Sequence, residues 1–143
     1  MGFPPPEPGL VLNYAYLWHD EHRKGLEEGR KDRPSVIVLC VTRAEDHSVV
    51  VTVLPITHAP PKDVTSAIEV PQAIKAHLGL DDERSWIVVA EGNEFVWPGY
   101  DLRRVPDTDS YAYGFLPPRY FDRLRDAFVA FNAGGRSRST SRT

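Results

Sequence analysis

Two apolar runs separated by a short polar segment form the clearest pattern along the chain. The first follows Pro34 and reads Val-Ile-Val-Leu-Cys-Val to residue 41, and the second covers 49–56. Residues 42–48, which connect them, are mostly polar. Short runs rich in β-branched residues are typical of buried strands. The pattern therefore predicts a β-hairpin that turns near Glu45.

Further strands are predicted in four shorter segments of similar composition. Proline ends two of them, at Pro71 and at Pro98-Gly99; because proline has no N–H to donate to a ladder, it commonly ends a strand. Residues 91–94 (Glu-Gly-Asn-Glu) are typical of a turn. The predicted strands are 10–18, 66–70, 86–90 and 95–97.

Helical periodicity is confined to two places. Residues 71–78 begin with a proline, which the first turn of a helix tolerates, and Gly79 follows as an end signal. The second helix starts near Leu116 and ends at Asn132-Ala-Gly-Gly. Within it, one apolar face is expected from residues three to four apart: Phe121, Leu124, Phe128 and Phe131.

These elements predict a single mainly β domain. Several short strands, long connections and a C-terminal helix indicate a small β-barrel or a strongly curved sheet with helical additions. We expect residues 1–8, which are rich in proline, to form an extended leader, and 9–131 to form the domain. The basic, serine-rich residues 132–143 are expected to be a disordered tail.

Composition narrows the function only slightly. The formal charge of −3 argues against general coating of nucleic acid by the whole surface, but it permits a local basic cleft. The single cysteine, Cys40, lies in an apolar run and is expected to be buried and reduced, which fits a cytoplasmic protein. No run approaches the roughly 18 apolar residues of a membrane helix, and we expect no membrane association.

Several familiar chemistries are not supported by the residues present. The sequence has no glycine-rich phosphate loop, and one cysteine cannot supply a zinc cluster. The five histidines are scattered; His19 and His22 could share a metal, although a solvated charged loop over 19–33 is the simpler interpretation. We therefore expect neither a metal nor another cofactor.

One pair of residues points to phosphate chemistry. In a hairpin turning near Glu45, Arg33 and Thr57 are equidistant from the turn, so antiparallel pairing brings a guanidinium and a hydroxyl together at its open end. This combination suits a phosphate group. Taken singly, Arg33 could be an exposed loop cation and Thr57 an ordinary threonine at a strand end.

The order of these motifs resembles that of the MazF/PemK family of toxin ribonucleases. Arg33-Pro34 before a Val/Ile run, followed by Pro55-Ile-Thr57, is the most specific part of the resemblance. Other segments match the family more weakly and occur in the same order, so that the resemblance extends over about residues 9–131. They are Gly9-Leu-Val-Leu, Ala67-Ile-Glu-Val, Gly79-Leu, Ser85-Trp-Ile-Val and Gly114-Phe-Leu-Pro-Pro. The segment Trp97-Pro-Gly-Tyr-Asp101 indicates a divergent branch of the family.

The resemblance implies a fold, an activity and partners. The fold would be an SH3-like small β-barrel, similar to that of the CcdB gyrase poisons, usually as a symmetric homodimer. The activity would be sequence-selective, metal-independent cleavage of single-stranded RNA, restrained by a cognate antitoxin protein. Arg33 and Thr57 stand at the positions that act in catalysis in that family.

Metal-free RNA cleavage also requires a group that accepts a proton, and three residues qualify: His58, His19 and Glu91. His58 adjoins Thr57, yet neighbouring strand residues point to opposite faces, so it could face away. Trp18 is a candidate for stacking on an unpaired base. Arg30 and Lys31 are candidates for the RNA backbone, although a charged loop is usually only solvated.

Two other functions are compatible with the same sequence. A protein of this fold could act by gripping DNA gyrase without cleaving RNA. It could also be an inactive, domesticated relative that binds RNA or another protein. Neither alternative needs a phosphate-holding pair at the open end of the hairpin, so Arg33 and Thr57 discriminate between them and the nuclease.

Overall fold

A largely antiparallel β-sheet forms most of the molecule, together with one short and one long helix. The computed structural model describes residues 3–16, 31–133 and 138–141. The helices are α1 (Gln72–Leu78) and α2 (Pro118–Ala133). The strands are β1 (Leu10–Tyr16), β2 (Lys31–Thr42), β3 (Val49–Thr57), β4 (Ala67–Glu69), β5 (Trp86–Val88), β6 (Glu91–Val96), β7 (Leu102–Arg103), β8 (Ala112–Phe115) and β9 (Arg138–Ser141).

The predicted hairpin is confirmed and lies at the centre of the sheet. Strands β2 and β3 pair antiparallel from Thr42 opposite Val49 to Ser35 opposite Pro55. The strand order is β4-β5-β3-β2-β1-β7, with β6 also paired to β3 and β8 also paired to β1. Hydrogen bonding among the described strands does not join the two edges. The mainly β class with a C-terminal helix is thus confirmed as an open, largely antiparallel sheet.

Both faces of the central strands are buried, because side chains alternate between two clusters. On β2, Val36 and Val38 join one cluster and Ile37 joins the other. The first cluster lies between the sheet and the two helices. The second consists mainly of side chains from strands alone, including Leu12, Tyr14, Val53 and Phe95. A sheet face that is buried without a helix over it requires the sheet to curve around its own side chains.

The helices occur where they were predicted. Leu124 and Phe131 of α2 are buried, Phe121 and Phe128 pack on the same cluster, and Tyr120 extends the face. Helix α1 ends at Gly79, whose φ of 73° is in the left-handed region that glycine adopts without strain. No helix in the described part of the chain is long and apolar enough to cross a membrane.

A bulge in β2 corrects the prediction for Cys40. The register of β2 against β3 shifts between Ile37 and Leu39. Beyond this shift Leu39 and Val41 are exposed, and Cys40 is half-buried rather than part of the core. Burial, together with the nearby Glu7, still raises the pKa of the Cys40 thiol. An apolar run does not reveal where a bulge displaces its residues from the core.

Two further segments differ from prediction. Residues 91–94, predicted as a turn, belong to strand β6, where Gly92 and Asn93 are buried and Asn93 pairs with Val53. Residues 132–143 were predicted to be a disordered tail. Helix α2 instead continues to Ala133, and Arg138–Ser141 pairs in parallel with β6. The polar composition of residues 91–94 and 138–141 gave no indication that either segment forms part of a strand.

The packing of α2 predicts a large effect from one core truncation. Leu124 is 0% exposed, whereas Val129 on the same helix is 58% exposed. Leu124→Ala should lower the free energy of unfolding by about 3 kcal/mol because it leaves a cavity, and Val129→Ala should change it by less than about 0.5 kcal/mol. Urea unfolding monitored by circular dichroism measures both; equal effects would contradict the packing described for α2.

Candidate functional site

A cavity of about 380 Å³ opens where the paired part of the central hairpin ends. Strand β2 contributes Asp32, Arg33 and Pro34 to its wall, and β3 contributes Ile56 together with the following His58. Helix α1, the segment after it, the β7–β8 connection and β8 complete it: Lys75, Gly79, Leu80, Asp81, Ser85, Val105, Pro106 and Tyr113. The cavity thus lies at the end of the hairpin where phosphate chemistry was predicted.

A proline on each strand lies at the point where the hairpin opens. Pairing between β2 and β3 stops at Ser35 opposite Pro55, and Pro34 comes next on β2. Neither proline has an N–H to donate to a neighbouring strand. Because neighbouring residues of a strand direct their N–H groups to opposite sides, one of the two missing N–H groups falls in the β2–β3 ladder at the point where its pairing ends.

Arg33 occupies a central position at this opening. Its backbone pairs with Tyr14 of β1, and the residue lines the cavity while remaining half-buried. Burial raises the pKa of Tyr16; Glu91 raises it further, and Arg33 opposes that effect. Arg33 and Glu91 therefore both lie within electrostatic range of Tyr16, which connects the cavity to a second ionisable group inside the sheet.

Thr57 ends strand β3 beside the cavity. Continuing the register from Ser35 and Pro55 places it across from Arg33. On its other side it pairs with Trp86 of β5. The Thr57 hydroxyl oxygen accepts a hydrogen bond from the Ala59 N–H at 3.2 Å, and its own O–H donates to no residue in the described part of the chain. Thr57 is not one of the described residues that line the cavity wall.

His58 follows on the strand and contacts an acidic partner. Its Nε2 lies 2.9 Å from Oδ2 of Asp81, 23 residues away. Ile56 belongs to the cluster beneath the helices, and His58, two residues further on, lies on the cavity side as strand alternation requires. The sequence left open that His58 faces away from the site, but it is His58 that lines the cavity, whereas Thr57 does not line the wall.

Behind Asp81 lies a buried lysine. Lys75 of α1 is 1% exposed, and its Nζ donates to Asp81 Oδ1 at 2.6 Å and to Ser85 Oγ at 2.7 Å. The third donor bonds the carbonyl oxygen of Glu83. An ammonium group has three N–H donors, and all of them are used. Lys75 therefore cannot also hold a phosphate without breaking one of these bonds.

This arrangement fixes the charge state of Asp81. The hydrogen bond from Lys75, with smaller contributions from His58 and the Glu83 N–H, holds the pKa of Asp81 below its usual value, although partial burial acts in the opposite direction. Asp81 is therefore an anion at neutral pH. Ligand atoms of His58, Asp81 and Glu83 lie within 4.8 Å of one another. The Lys75 ammonium already neutralises this carboxylate and repels a second cation, so the geometry favours an ion pair over a metal centre.

The opposite wall of the cavity is less charged. Tyr113 is half-buried, and burial, together with the nearby Asp32, raises the pKa of its hydroxyl. Asp32 lies 3.9 Å from the guanidinium of Arg103, a loose ion pair. Pro34, Val105 and other apolar groups complete this side. A planar base or sugar would meet apolar surface here, while a phosphate would meet Arg33.

The structure brings together some of the predicted site residues. Arg33 and His58 line one cavity, and Thr57 lies at its edge. Glu91, at the start of β6, and Arg33 both act on the pKa of Tyr16, in opposite directions. Lys31 begins β2 with its backbone opposite Tyr16. Three other predicted residues lie outside the described residues: Trp18, His19 and Arg30.

Sequence reasoning missed Lys75 and Asp81. A weak signal existed for the lysine, because Lys75 and Leu78 are three residues apart on a helix and therefore share its buried face. Asp81 belongs to the acidic run Asp81-Asp82-Glu83. Nothing in the sequence connects that run to His58, because their contact depends on how α1 packs against the end of β3.

Comparison with family models, with curated proteins and with solved structures gave no match to this chain.

The Lys75–Asp81 pair predicts a dependence of stability on pH. Because the folded-state pKa of Asp81 is lowered, its contribution is complete above the unfolded value, near 4, and is lost as pH falls through the folded value. Asp81→Asn should lower the free energy of unfolding by about 1–2 kcal/mol at pH 7, a modest value because the side chain of Asp81 is 48% exposed. The difference from wild type should shrink below about pH 4.

Denaturant unfolding between pH 7 and pH 2.5 measures this difference. Asp82→Asn is the matched control, because it removes the same charge from an exposed neighbouring position. A penalty for Asp81→Asn that stays constant across this pH range would contradict the ion pair.

Proposed function

We propose that this protein is a metal-independent endoribonuclease that cuts single-stranded RNA. One observation carries the proposal: Arg33 and His58, from the two strands of the central hairpin, line a single cavity where the pairing of those strands ends. A guanidinium beside an imidazole, with the Thr57 hydroxyl at the edge, supplies the groups that attack by a 2′-hydroxyl requires.

Each group has a distinct task in this chemistry. The neighbouring 2′-hydroxyl of the RNA is the nucleophile, so the protein must accept its proton and stabilise extra negative charge on the phosphate. The planar Arg33 guanidinium can hold two phosphate oxygens. Thr57 can donate a hydrogen bond that orients the phosphate. His58 is the group in the cavity suited to accepting a proton near neutral pH.

The proposal also includes the structural family of the protein and its partner proteins. We propose that the curved sheet is a version of the SH3-like barrel of the MazF/PemK and CcdB toxins. The β1–β2–β3 core and the C-terminal α2 support this assignment, alongside the Arg33-Pro34 and Pro55-Ile-Thr57 motifs. It implies a cytoplasmic toxin of a type II toxin–antitoxin pair, a homodimer restrained by a cognate antitoxin protein.

Arg33 provides the first test. Incubated with long single-stranded RNA in EDTA, wild-type protein should give discrete fragments. Arg33→Ala should reduce the cleavage rate by a factor of about 10² to 10³, since it removes the positive charge beside the phosphate. Gel analysis of end-labelled RNA measures both rates.

Controls separate this effect from general loss of charge or fold. Arg43→Ala makes the same substitution near the turn of the hairpin and should cleave like wild type. Thr57→Val keeps the shape of the side chain and removes the hydroxyl, and it should also slow cleavage. Full activity of Arg33→Ala would remove Arg33 from the mechanism. Folded wild-type protein that leaves RNA intact would favour the gyrase-binding or domesticated alternative.

Assembly provides an independent test of the family assignment. The mass of one chain is 16.1 kDa, and light scattering from a homodimer should give twice this mass. Size-exclusion chromatography with light scattering at micromolar concentration measures this mass. A monomer mass under these conditions would count against the proposed dimer while leaving the RNA assay to decide the activity.

A further inference from the structure

The carboxylate of Asp81 is held from two sides. Oδ1 accepts hydrogen bonds from Lys75 Nζ at 2.6 Å and from the Glu83 N–H at 3.1 Å. Oδ2 lies 2.9 Å from His58 Nε2. A carboxylate restrained at one oxygen by a buried ammonium and a backbone amide has little freedom to rotate. Its other oxygen therefore has a defined direction toward His58.

This contact determines which nitrogen of His58 carries hydrogen. An ionised carboxylate accepts hydrogen bonds but cannot donate one. Nε2 must therefore carry a hydrogen to bond Asp81, so in the neutral imidazole Nδ1 holds the lone pair. Nδ1 makes no hydrogen bond to any described residue, and His58 lines the cavity with Arg33. The proton-accepting nitrogen is thus available at the site.

Lys75 serves this arrangement only indirectly. Its three donors are used on Asp81, Ser85 and the Glu83 carbonyl, so it has none left for a ligand. It is also buried on α1, away from solvent. A buried ammonium is unfavourable unless it is paired and hydrogen-bonded. Lys75 therefore needs the Asp81 carboxylate, and this requirement keeps Asp81 in place.

We propose that Asp81 is a positioning residue, anchored by Lys75, that holds His58 in the Nε2–H tautomer and presents Nδ1 as the proton acceptor for RNA cleavage. The inference rests on the proposed function. In the reaction, the 2′-hydroxyl proton moves to Nδ1 as the O2′–P bond forms. The P–O5′ bond breaks, and the 5′ oxygen takes a proton from water. The products are a 2′,3′-cyclic phosphate and a 5′-hydroxyl, and His58 then returns its proton to solvent.

A purely structural role is the competing explanation. In that case the same three side chains would do no more than link the segment after α1 to the end of β3. If the role is only structural, breaking this link should lower the stability of the protein. It should change neither the tautomer of His58 nor the turnover by folded protein. Tautomer and turnover therefore separate the two explanations.

The test combines Asp81→Asn with the matched control Asp82→Asn. Long-range ¹H–¹⁵N spectra of ¹⁵N-histidine protein, recorded where imidazoles are neutral, report the tautomer, and His58→Gln identifies the signal. Wild type and Asp82→Asn should show the Nε2–H form. Because an amide can donate to Nε2, Asp81→Asn should show a substantial Nδ1–H population. Its kcat should fall by a factor of about 10² to 10⁴, with KM changed by no more than about twofold.

Each other outcome counts against a specific part of the proposal. Wild-type turnover by folded Asp81→Asn overturns the positioning role alone. If Asp81→Asn does not fold, His58→Gln replaces it, since the side chain of His58 is 51% exposed and should tolerate the change. Wild-type kcat in that variant overturns the role of His58. Wild-type protein that cleaves no RNA overturns the proton transfer together with the proposed function, whichever tautomer the spectra show.

Discussion

Antiparallel pairing of β2 with β3 is the constraint on which the rest of this structure depends. The two strands carry side chains into both apolar clusters, and both helices and strands β1 and β4 to β8 add side chains to these same clusters. Where the pairing ends, at Ser35 and Pro55, the strands leave a cavity between them. Core and candidate site are therefore two consequences of one hairpin, and the prolines mark the boundary between them.

The charged groups at the site compensate for the burial of one ammonium group. A buried ammonium such as that of Lys75 loses hydration, and it is stable here because three oxygens replace the lost water. Arg33 is the other permanent cation among the described residues that line the cavity. Lys75 therefore organises the cavity wall from within the protein, whereas Arg33 is the cation to which the proposed function assigns the phosphate.

Local signals allowed much of the fold to be predicted, and non-local contacts account for what was missed. The hairpin, both helices and the role of Gly79 follow from periodicity and turn residues within short windows. The end of β6 was predicted, but its first four residues were missed because Gly92 and Asn93 are turn-forming residues locally, while pairing with β3 overrides that preference. For the site, Arg33 and His58 were found through their position on the hairpin. Asp81 and Lys75 were not, since the 23 residues between His58 and Asp81 contain no pattern that reports their contact.

The bulge in β2 determines where residues can be inserted into the hairpin or removed from it. Side chains alternate along a strand, so the one-residue shift between Ile37 and Leu39 decides whether Thr57 or His58 lies across from Arg33. Residues added to or removed from the polar turn at 42–48 would leave that relation intact, because packing fixes the register of both strands. A single insertion between the bulge and Pro34 would instead move Arg33 to the other face of the sheet. The tip of the hairpin can therefore change length freely, whereas its base is held to a fixed residue count.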